Sequence, residues 1–339
     1  MPVPGPDVLV VGAGVSGLTT AVCLAEAGHG VEIRADRLPP DTTSAVAGAL
    51  WGPHLVETGE RAVRWCSVTL AAFRELAAGP ASGAAGVRVA EGAQVFRGPP
   101  APPDWLAELG GYRPCRPDEL PPGFGSGWRY AAPLIHMPTY LGYLQARLGR
   151  AGGRIRAATV ASLAGAAHEA GARVVVNCSG AHARHLAGDP AVTPVRGQTV
   201  VAANPGLTEF LVAPGGESAG LAYLFPHGGE IILGGSEAAG DWNLEPVPAV
   251  ADRILRDCAA IEPRLAGARV LGHRVGLRPV RPQVRLEAAP LPAGDGPPGR
   301  SAGPRLLVHN YGHGGAGITL SWGCAREVTR LVQQSAPPR

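Results

Sequence analysis

The sequence predicts an α/β fold in which two domains alternate along the chain. The segments DVLVVGAG (7–14), RVVVNCSGAHA (173–183) and RLLVHNYGHGG (305–315) each contain an uninterrupted apolar run, typical of a parallel strand buried on both faces. Between them, turn-broken stretches such as LAYLFPHGGEIILGG (221–235) indicate an antiparallel sheet. One domain therefore collects strands from the start, middle and end of the chain, and a mixed, mostly antiparallel domain uses the remainder. We place the first domain at residues 1–50, 138–196 and 265–335, and the second at 51–137 and 197–264.

The first strand runs into a glycine-rich turn and a helix. Gly12, Gly14 and Gly17 have the spacing G-x-G-x-x-G, which allows a tight turn, close approach of the backbone to a pyrophosphate and close helix–strand packing. A second strand, VEIRA (31–35), is followed by Asp36, at the distance expected of an acid that binds ribose hydroxyls. This order predicts a Rossmann-like dinucleotide site. The rest of the turn consists of Ala13, Val15 and Ser16.

The glycines do not decide between a nicotinamide and a flavin dinucleotide. Arg37 fits either an NADP phosphate or the face of an adenine. However, TTSAVAG (42–48) indicates a loop of small residues instead of the next helix of an NAD domain. The hydroxyls and amides of Thr42 and Thr43 suit further phosphate contacts, which favours FAD, a long cofactor held by several segments. The Pro- and Gly-rich segments around 95–123 and 288–304 are expected to be surface loops.

Composition excludes several classes of protein. Hydrophobic residues are 45% and charged residues 17% of the 339, enough for a substantial core, and a net charge of +3 without a basic run argues against nucleic acid binding. The chain has no lysine, so it cannot form a pyridoxal phosphate Schiff base. The six cysteines are scattered without metal-ligand spacing and are expected to be buried, reduced thiols. We find no signal peptide in MPVPGP and expect no membrane span, so the sequence predicts a cytoplasmic protein. Because the cysteines lack metal-ligand spacing, we expect no metal site.

Four longer motifs carry a family resemblance. ADRLPPDTTSAVAGALWGP (35–53), VVVNCSG (174–180), GLRPVRPQVRLE (276–287) and HNYGHGGAGITLSWGCA (309–325) occur in the order seen in the D-amino acid oxidase family of FAD enzymes. The sequence resembles that family over nearly its whole length. The resemblance implies a Rossmann-like FAD-binding domain interleaved with a substrate-binding domain, and FAD held without a covalent bond.

The resemblance also assigns roles to single residues. It places the substrate carboxylate on the Arg278 guanidinium and the Tyr223 hydroxyl, and the substrate ammonium on the carbonyl of Gly315. A guanidinium fork stiffened by a neighbouring proline is also, on physical grounds, a natural bidentate partner for a carboxylate. Arg281 and Arg285 are expected to be structural or surface residues, and no acid–base residue is assigned. Further contacts to FAD are expected from Ala49, Leu50, Val160, Ser179, Gly276, His313, Gly314, Gly315, Gly317, Ile318 and Thr319.

The implied activity is oxidative deamination. Hydride passes from the substrate Cα to flavin N5, water converts the imine to a 2-oxo acid and ammonia, and dioxygen reoxidises the flavin to give hydrogen peroxide. Residues 205–223 contain no Arg or Lys for a second carboxylate, so neutral D-amino acids are the expected substrates. Two departures from the family pattern bear on specificity: Gly52 stands where many members carry a glutamine, and few tyrosines precede Tyr223, which indicates a short lid.

The sequence leaves three rival functions open. They are an amine oxidase of glycine, sarcosine or imino acid type, a D-amino acid dehydrogenase that uses an acceptor other than oxygen, and a cofactor-bound structural or sensor protein. The oligomeric state is also open, with a homodimer among the options.

Overall fold

The computed structural model describes residues 5–54, 59–99, 101–215, 220–292 and 305–335. Within these ranges the strands are β1 (Val8–Val11), β2 (Val31–Ala35), β3 (Val87–Phe96), β4 (Tyr112–Pro114), β5 (Ser126–Ile135), β6 (Arg154–Ala157), β7 (Val174–Asn177), β8 (Thr193–Ala203), β9 (Phe210–Pro214), β10 (Leu221–His227), β11 (Glu230–Gly234), β12 (Ala238–Ala239), β13 (Val270–Pro290) and β14 (Leu306–His313). The helices are α1 (Val15–Glu26), α2 (Thr43–Val46), α3 (Glu60–Ala78), α4 (Ser82–Ala85), α5 (Trp105–Glu108), α6 (Met137–Arg150), α7 (Leu163–Ala170), α8 (Ala183–Leu186), α9 (Pro248–Ile261) and α10 (Gly317–Ser335).

The described strands join in one mixed sheet. Its order is β4-β5-β3-β9-β10-β11-β8-β13-β14-β7-β1-β2-β6, with β12 paired to β8. The five strands β14, β7, β1, β2 and β6 are parallel, and Val8 of β1 lies opposite both Val31 and Val174. Three of these strands, β1, β7 and β14, are the ones whose apolar runs predicted a doubly covered parallel sheet, and the α/β fold class is confirmed. The division into two discontinuous domains stays a prediction.

One long strand connects the parallel strands to the antiparallel ones. Strand β13 has 21 residues. It pairs with β8 over 270–280 and with β14 over 285–290, both antiparallel. Arg278 lies opposite Val195, and Gly276 lies opposite Gly197. The predicted carboxylate anchor therefore sits in the strand that joins the two parts of the sheet.

The helices α1, α3 and α10 pack together beside the parallel strands. Gly323 of α10 lies so close to α3 that a Cβ there would overlap the backbone of Trp65. Its amide donates a hydrogen bond of 3.0 Å to Thr69 Oγ1 in the same core. This packing fixes α1 and α10. Each of the two helices begins after a glycine-rich turn at the end of a parallel strand, so both N-termini lie at the same edge of the sheet.

One of the two expected surface loops contains a buried helix. The segment 95–123 is not simply a surface loop, because it contains α5, in which Leu106 is fully buried and Trp105 contacts Trp51 edge-on at 6.2 Å between ring centres. A composition rich in proline and glycine hid these apolar residues. Residues 293–304 of the second expected loop lie outside the described residues, as do residues 1–4 of MPVPGP and 216–219 of the expected lid.

Candidate active site

A cavity of about 600 Å³ runs between the glycine-rich turn after β1 and the strands β10 and β13. All but two of the predicted site residues line it. The exceptions are Gly17, against which the Gly12 carbonyl packs, and Thr319, whose Oγ1 donates to Gly52 O at 2.9 Å. The predicted residues that line the cavity are Gly12, Ala13, Gly14, Val15, Ser16, Asp36, Arg37, Thr42, Thr43, Ala49, Leu50, Val160, Ser179, Tyr223, Gly276, Arg278, His313, Gly314, Gly315, Gly317 and Ile318.

The turn before α1 has the geometry of an anion site. Gly12 adopts a φ of 110°, and a Cβ there would overlap the Cys178 carbonyl. The amide of Val15 donates to Ser44 Oγ at 2.9 Å, a contact made by α2. The next amides of this first helical turn, those of Ser16 and Gly17, have no acceptor within the helix. They and the helix dipole favour a phosphate at this end of the cavity.

The segment 42–48 carries helix α2 where we expected only a loop. The helix brings Thr43 against β13, where Thr43 Oγ1 accepts a hydrogen bond of 3.2 Å from the amide of Leu277. Gly276 permits this approach, since a Cβ there would lie 3.1 Å from Thr43 Cγ2. Just beyond α2, Ala49 has a φ of 61°, a strained conformation for a residue other than glycine.

Three buried polar atoms on the cavity wall have no protein partner. They are Thr42 Oγ1, Trp51 Nε1 and Thr199 Oγ1, and all three residues line the cavity. Buried polar groups are ordinarily hydrogen-bonded, because leaving one unpaired costs about 1–3 kcal/mol. Together with the phosphate turn, these atoms fit a long polar cofactor such as FAD.

The glycine-rich turn before α10 forms another part of the cavity wall, next to the turn before α1. Gly314, Gly315 and Gly317 line the cavity there, and the amide of Gly315 donates to the carbonyl of His54 at 3.0 Å. His313 is buried, with Nε2 3.1 Å from Asn310 Oδ1. Burial lowers the pKa of His313 to about 4, so its imidazole is neutral at physiological pH. It is therefore suited to packing and hydrogen bonding instead of acid–base catalysis.

Arg278 is held in position by close neighbours. Its Nη1 donates to the carbonyl of Ser236 at 3.0 Å. A Cβ on Gly197 in the adjacent strand would lie only 2.5 Å from the same Nη1, so only glycine leaves room for this side chain. The guanidinium also hydrogen-bonds the Tyr223 side chain, and its donors beyond these two contacts can serve a ligand in the cavity that Arg278 lines.

Tyr223 lies beside this arginine. Its ring stacks on Phe225 with ring centres 4.5 Å apart, and a Cβ on Gly48 would lie 2.9 Å from the Tyr223 ring. Burial raises the pKa of Tyr223 and outweighs the opposing effect of the Arg278 charge. The phenol is therefore protonated at neutral pH, and it can donate a hydrogen bond to a carboxylate bound by Arg278.

Arg281 and Arg285 do not line the cavity. Arg281 Nε pairs with Asp189 Oδ2 at 3.0 Å, and Arg285 Nη1 donates to the Tyr311 hydroxyl at 2.7 Å. The Tyr311 hydroxyl in turn donates to Asp189 at 2.9 Å. These two arginines are structural, as the sequence predicts.

Several residues that line the same cavity were not predicted from the sequence, among them Trp105, His54 and Glu237. Trp105 lies 3.7 Å from where a Cβ on Gly52 would be, so its ring takes up space beside the position where many family members carry a glutamine. His54 Nε2 lies 3.0 Å from Glu237 Oε1. No local pattern predicts this pair, because 183 residues separate its members along the chain.

The described residues also bear on a covalent flavin link, a membrane span and a metal site. All six cysteines are free, and burial raises the pKa of Cys178, beside the cavity, to about 12. Cys178 is therefore a poor nucleophile for a covalent cofactor link. No helix among the described residues is long and apolar enough to cross a membrane. The same residues contain no group of three or more His, Cys, Asp or Glu arranged to hold a metal ion.

Comparison with known proteins agrees with this geometry. A family model described as FAD dependent oxidoreductase, DAO, matches residues 7–331. The chain is 50% identical to a D-amino-acid oxidase of Rubrobacter xylanophilus, covering 96% of this chain and 95% of that protein. It is 47% identical to a D-amino-acid oxidase of Streptomyces coelicolor, covering 96% of each. Glycine oxidase from Geobacillus kaustophilus has the same fold, with a TM-score of 0.76 and 20% identity over 98% of this chain and 95% of that one. The chain therefore belongs to the DAO family of FAD-dependent oxidoreductases, and FAD is the cofactor that its cavity holds.

Proposed function

We propose that this protein oxidatively deaminates D-amino acids, with dioxygen as the electron acceptor and a 2-oxo acid, ammonia and hydrogen peroxide as products. The observation that carries the proposal is the pairing of Arg278 with Tyr223 in the same cavity as the dinucleotide turn. A fixed cation next to a protonated phenol is a carboxylate site, and an oxidase of α-amino acids needs one beside its flavin. Relatives that share about half of its residues over nearly the whole length are D-amino-acid oxidases.

The residues of the chain would act by binding and orientation. Arg278 and Tyr223 hold the substrate carboxylate, and the carbonyl of Gly315 accepts a hydrogen bond from the substrate amine. When both groups are fixed, the direction of the Cα–H bond is fixed as well. The reacting atoms are then held in the orientation that hydride transfer requires. FAD, when bound, would supply the hydride acceptor and the reduced state that dioxygen reoxidises. No charged base is required of His313, in keeping with its neutral, buried imidazole.

Neutral D-amino acids are the proposed substrates. Of the arginines among the described residues, only Arg37 and Arg278 line the cavity, and Arg37 lies beside Asp36 at the adenosine end. The substrate end therefore offers one arginine, which serves the α-carboxylate, and none for a second carboxylate. D-aspartate and D-glutamate should be poor substrates for this reason.

The location and assembly form part of the same proposal. Six free cysteines suit a reducing compartment, and we propose the cytoplasm. A homodimer is the proposed oligomeric state. Light scattering of the purified holoenzyme tests it, and a monomeric mass at micromolar concentration would rule it out.

A peroxide-release panel tests the activity. The purified yellow protein is mixed with D- and L-amino acids, glycine, sarcosine and proline, and initial rates are measured with a peroxidase-coupled dye. Peroxide from neutral D-amino acids but not from their L-enantiomers is the expected result. Highest kcat/KM on glycine or sarcosine would favour the amine oxidase alternative. Reduction of the flavin without peroxide would favour a dehydrogenase.

A further inference from the structure

We infer that Glu237, held by His54, forms a second recognition point in the substrate cavity and extends the substrate range to D-amino acids with a cationic side chain, such as D-arginine. The inference rests on the proposed function and names a substrate class within it. Neither His54 nor Glu237 has been assigned a contact with the α-carboxylate or with the cofactor.

Glu237 is close in sequence and in space to the carboxylate anchor. Its neighbour Ser236 provides the carbonyl that accepts a hydrogen bond from Arg278 Nη1 at 3.0 Å. On its other side, a Cβ on Gly220, just before β10, would lie 3.8 Å from Glu237 Cγ. The carboxylate therefore lies between the anchor and the chain that enters β10, next to the space where the substrate must bind.

His54 extends the same wall toward the glycine turn. Its Nε2 is 3.0 Å from Glu237 Oε1, and the carbonyl of His54 accepts a hydrogen bond from Gly315 N at 3.0 Å. A Cβ on Gly315 would overlap the His54 ring. The pair therefore reaches from the residue beside the anchor to the proposed amine site. Both side chains remain partly accessible, at 33% for His54 and 22% for Glu237.

The charge of this pair is negative. Burial, and next the positive charge of Arg278, lower the pKa of His54, although Glu237 opposes the shift. His54 is therefore neutral at physiological pH, and its Nε2–H donates to Glu237, because a carboxylate can only accept. Nδ1 of His54 is left as an acceptor. The pair presents one negative charge and only acceptor atoms to the cavity.

The two charges in this part of the cavity have different partners. Glu237 is hydrogen-bonded to the neutral His54, and the ion pairs of the described residues include no pair between Glu237 and Arg278. Arg278 thus remains available for the α-carboxylate, and Glu237 for a group on the substrate side chain. The Glu237 carboxylate attracts a guanidinium or ammonium group at the end of a substrate side chain, and it repels a carboxylate in the same place. Small neutral side chains that do not reach Glu237 are unaffected by either effect.

The experiment compares isosteric substrates in the holoenzyme. D-arginine and D-citrulline differ in the charge of the terminal group, and D-glutamate and D-glutamine differ in the same way with the opposite sign. kcat/KM is measured for all four and for D-alanine with the wild type, with Glu237→Gln and with a control, Glu75→Gln. Glu75 is an exposed residue of α3 outside the cavity, so its variant makes the same chemical change at an unrelated place.

The wild type should prefer D-arginine to D-citrulline. In Glu237→Gln the D-arginine to D-citrulline ratio should fall at least about tenfold, or roughly 1.4 kcal/mol, and the D-glutamate to D-glutamine ratio should rise by a similar factor. Both ratios should stay at the wild-type value in Glu75→Gln. Ratios that do not change in a yellow Glu237→Gln protein would overturn the inference.

Failure of the inference and failure of the proposed function are distinguishable. If D-alanine is oxidised but the wild type prefers D-citrulline to D-arginine, the role of Glu237 is wrong and the proposed function stands. This outcome needs no variant, so it holds even if Glu237→Gln does not fold. If FAD-replete wild type oxidises none of the five D-amino acids, the proposed function itself fails.

Discussion

Replacing Arg278 with alanine should remove most of the catalytic efficiency while leaving the cofactor bound. The guanidinium donates to the Ser236 carbonyl at 3.0 Å and hydrogen-bonds Tyr223, and its donors beyond these contacts can serve a carboxylate. Hydrogen bonds to a charged group contribute about 1.5–3 kcal/mol each, so losing a two-bond contact costs about 3 kcal/mol or more. We therefore expect kcat/KM to fall at least about a hundredfold with a neutral D-amino acid.

Binding of benzoate isolates this effect from the chemistry. Benzoate carries a carboxylate but no reactive amine, and its binding to the holoenzyme is followed through the flavin spectrum. Its affinity should fall in parallel with kcat/KM in Arg278→Ala, and Arg278→Lys should recover only part of the loss, because it keeps the charge but not the fork. Arg274→Ala is the matched control, since Arg274 lies in the same strand but not on the main cavity wall. Unchanged benzoate affinity in yellow Arg278→Ala protein would mean that another residue holds the carboxylate.

Three further predictions concern the cofactor. Asp36→Ala should weaken FAD binding by about 1–3 kcal/mol, measured by flavin titration of the apoprotein, with little change in kcat at saturating FAD; a collapse of saturated activity would contradict the role at the ribose. Gly12→Ala should lose FAD and have a lower Tm, because the φ of 110° at Gly12 and the nearby Cys178 carbonyl both exclude a Cβ. Gly28→Ala is the control and should keep FAD, because Gly28 has a φ of 90° but no atom within 4 Å of a Cβ. Equal FAD content in the two variants would refute the argument. Acid precipitation should release all the yellow colour, and colour left in the pellet would show a covalent link that the raised pKa of Cys178 disfavours.

The cofactor half of the cavity was largely predictable from the sequence. Glycine spacing, an apolar strand before it and Asp36 after the second strand are local signals, because each depends on neighbours within one strand–turn–helix unit. The resemblance placed Arg278 and Tyr223 in one site, and both line the same cavity. Their roles as substrate ligands stay predictions.

The features that were missed depend on contacts between distant segments. Helix α2 has only four residues, too short to leave a periodic pattern, and it is held where Ser44 meets Val15 and Thr43 meets Leu277. Trp105 was hidden in a segment whose prolines and glycines suggested a loop. The His54–Glu237 pair has no sequence signal at all, since only the folded sheet and the turn before α10 bring the two side chains within 3.0 Å.

Anaerobic mixing tests most directly whether this cavity delivers a hydride from a D-amino acid to FAD. FAD-replete holoenzyme is mixed with D-alanine or L-alanine without oxygen, and the flavin absorbance near 450 nm is followed. We expect D-alanine to bleach the flavin, L-alanine to leave it oxidised, and admission of oxygen to restore the colour with release of hydrogen peroxide. A flavin that D-alanine and other neutral D-amino acids leave oxidised, or that both enantiomers reduce equally well, would contradict this expectation.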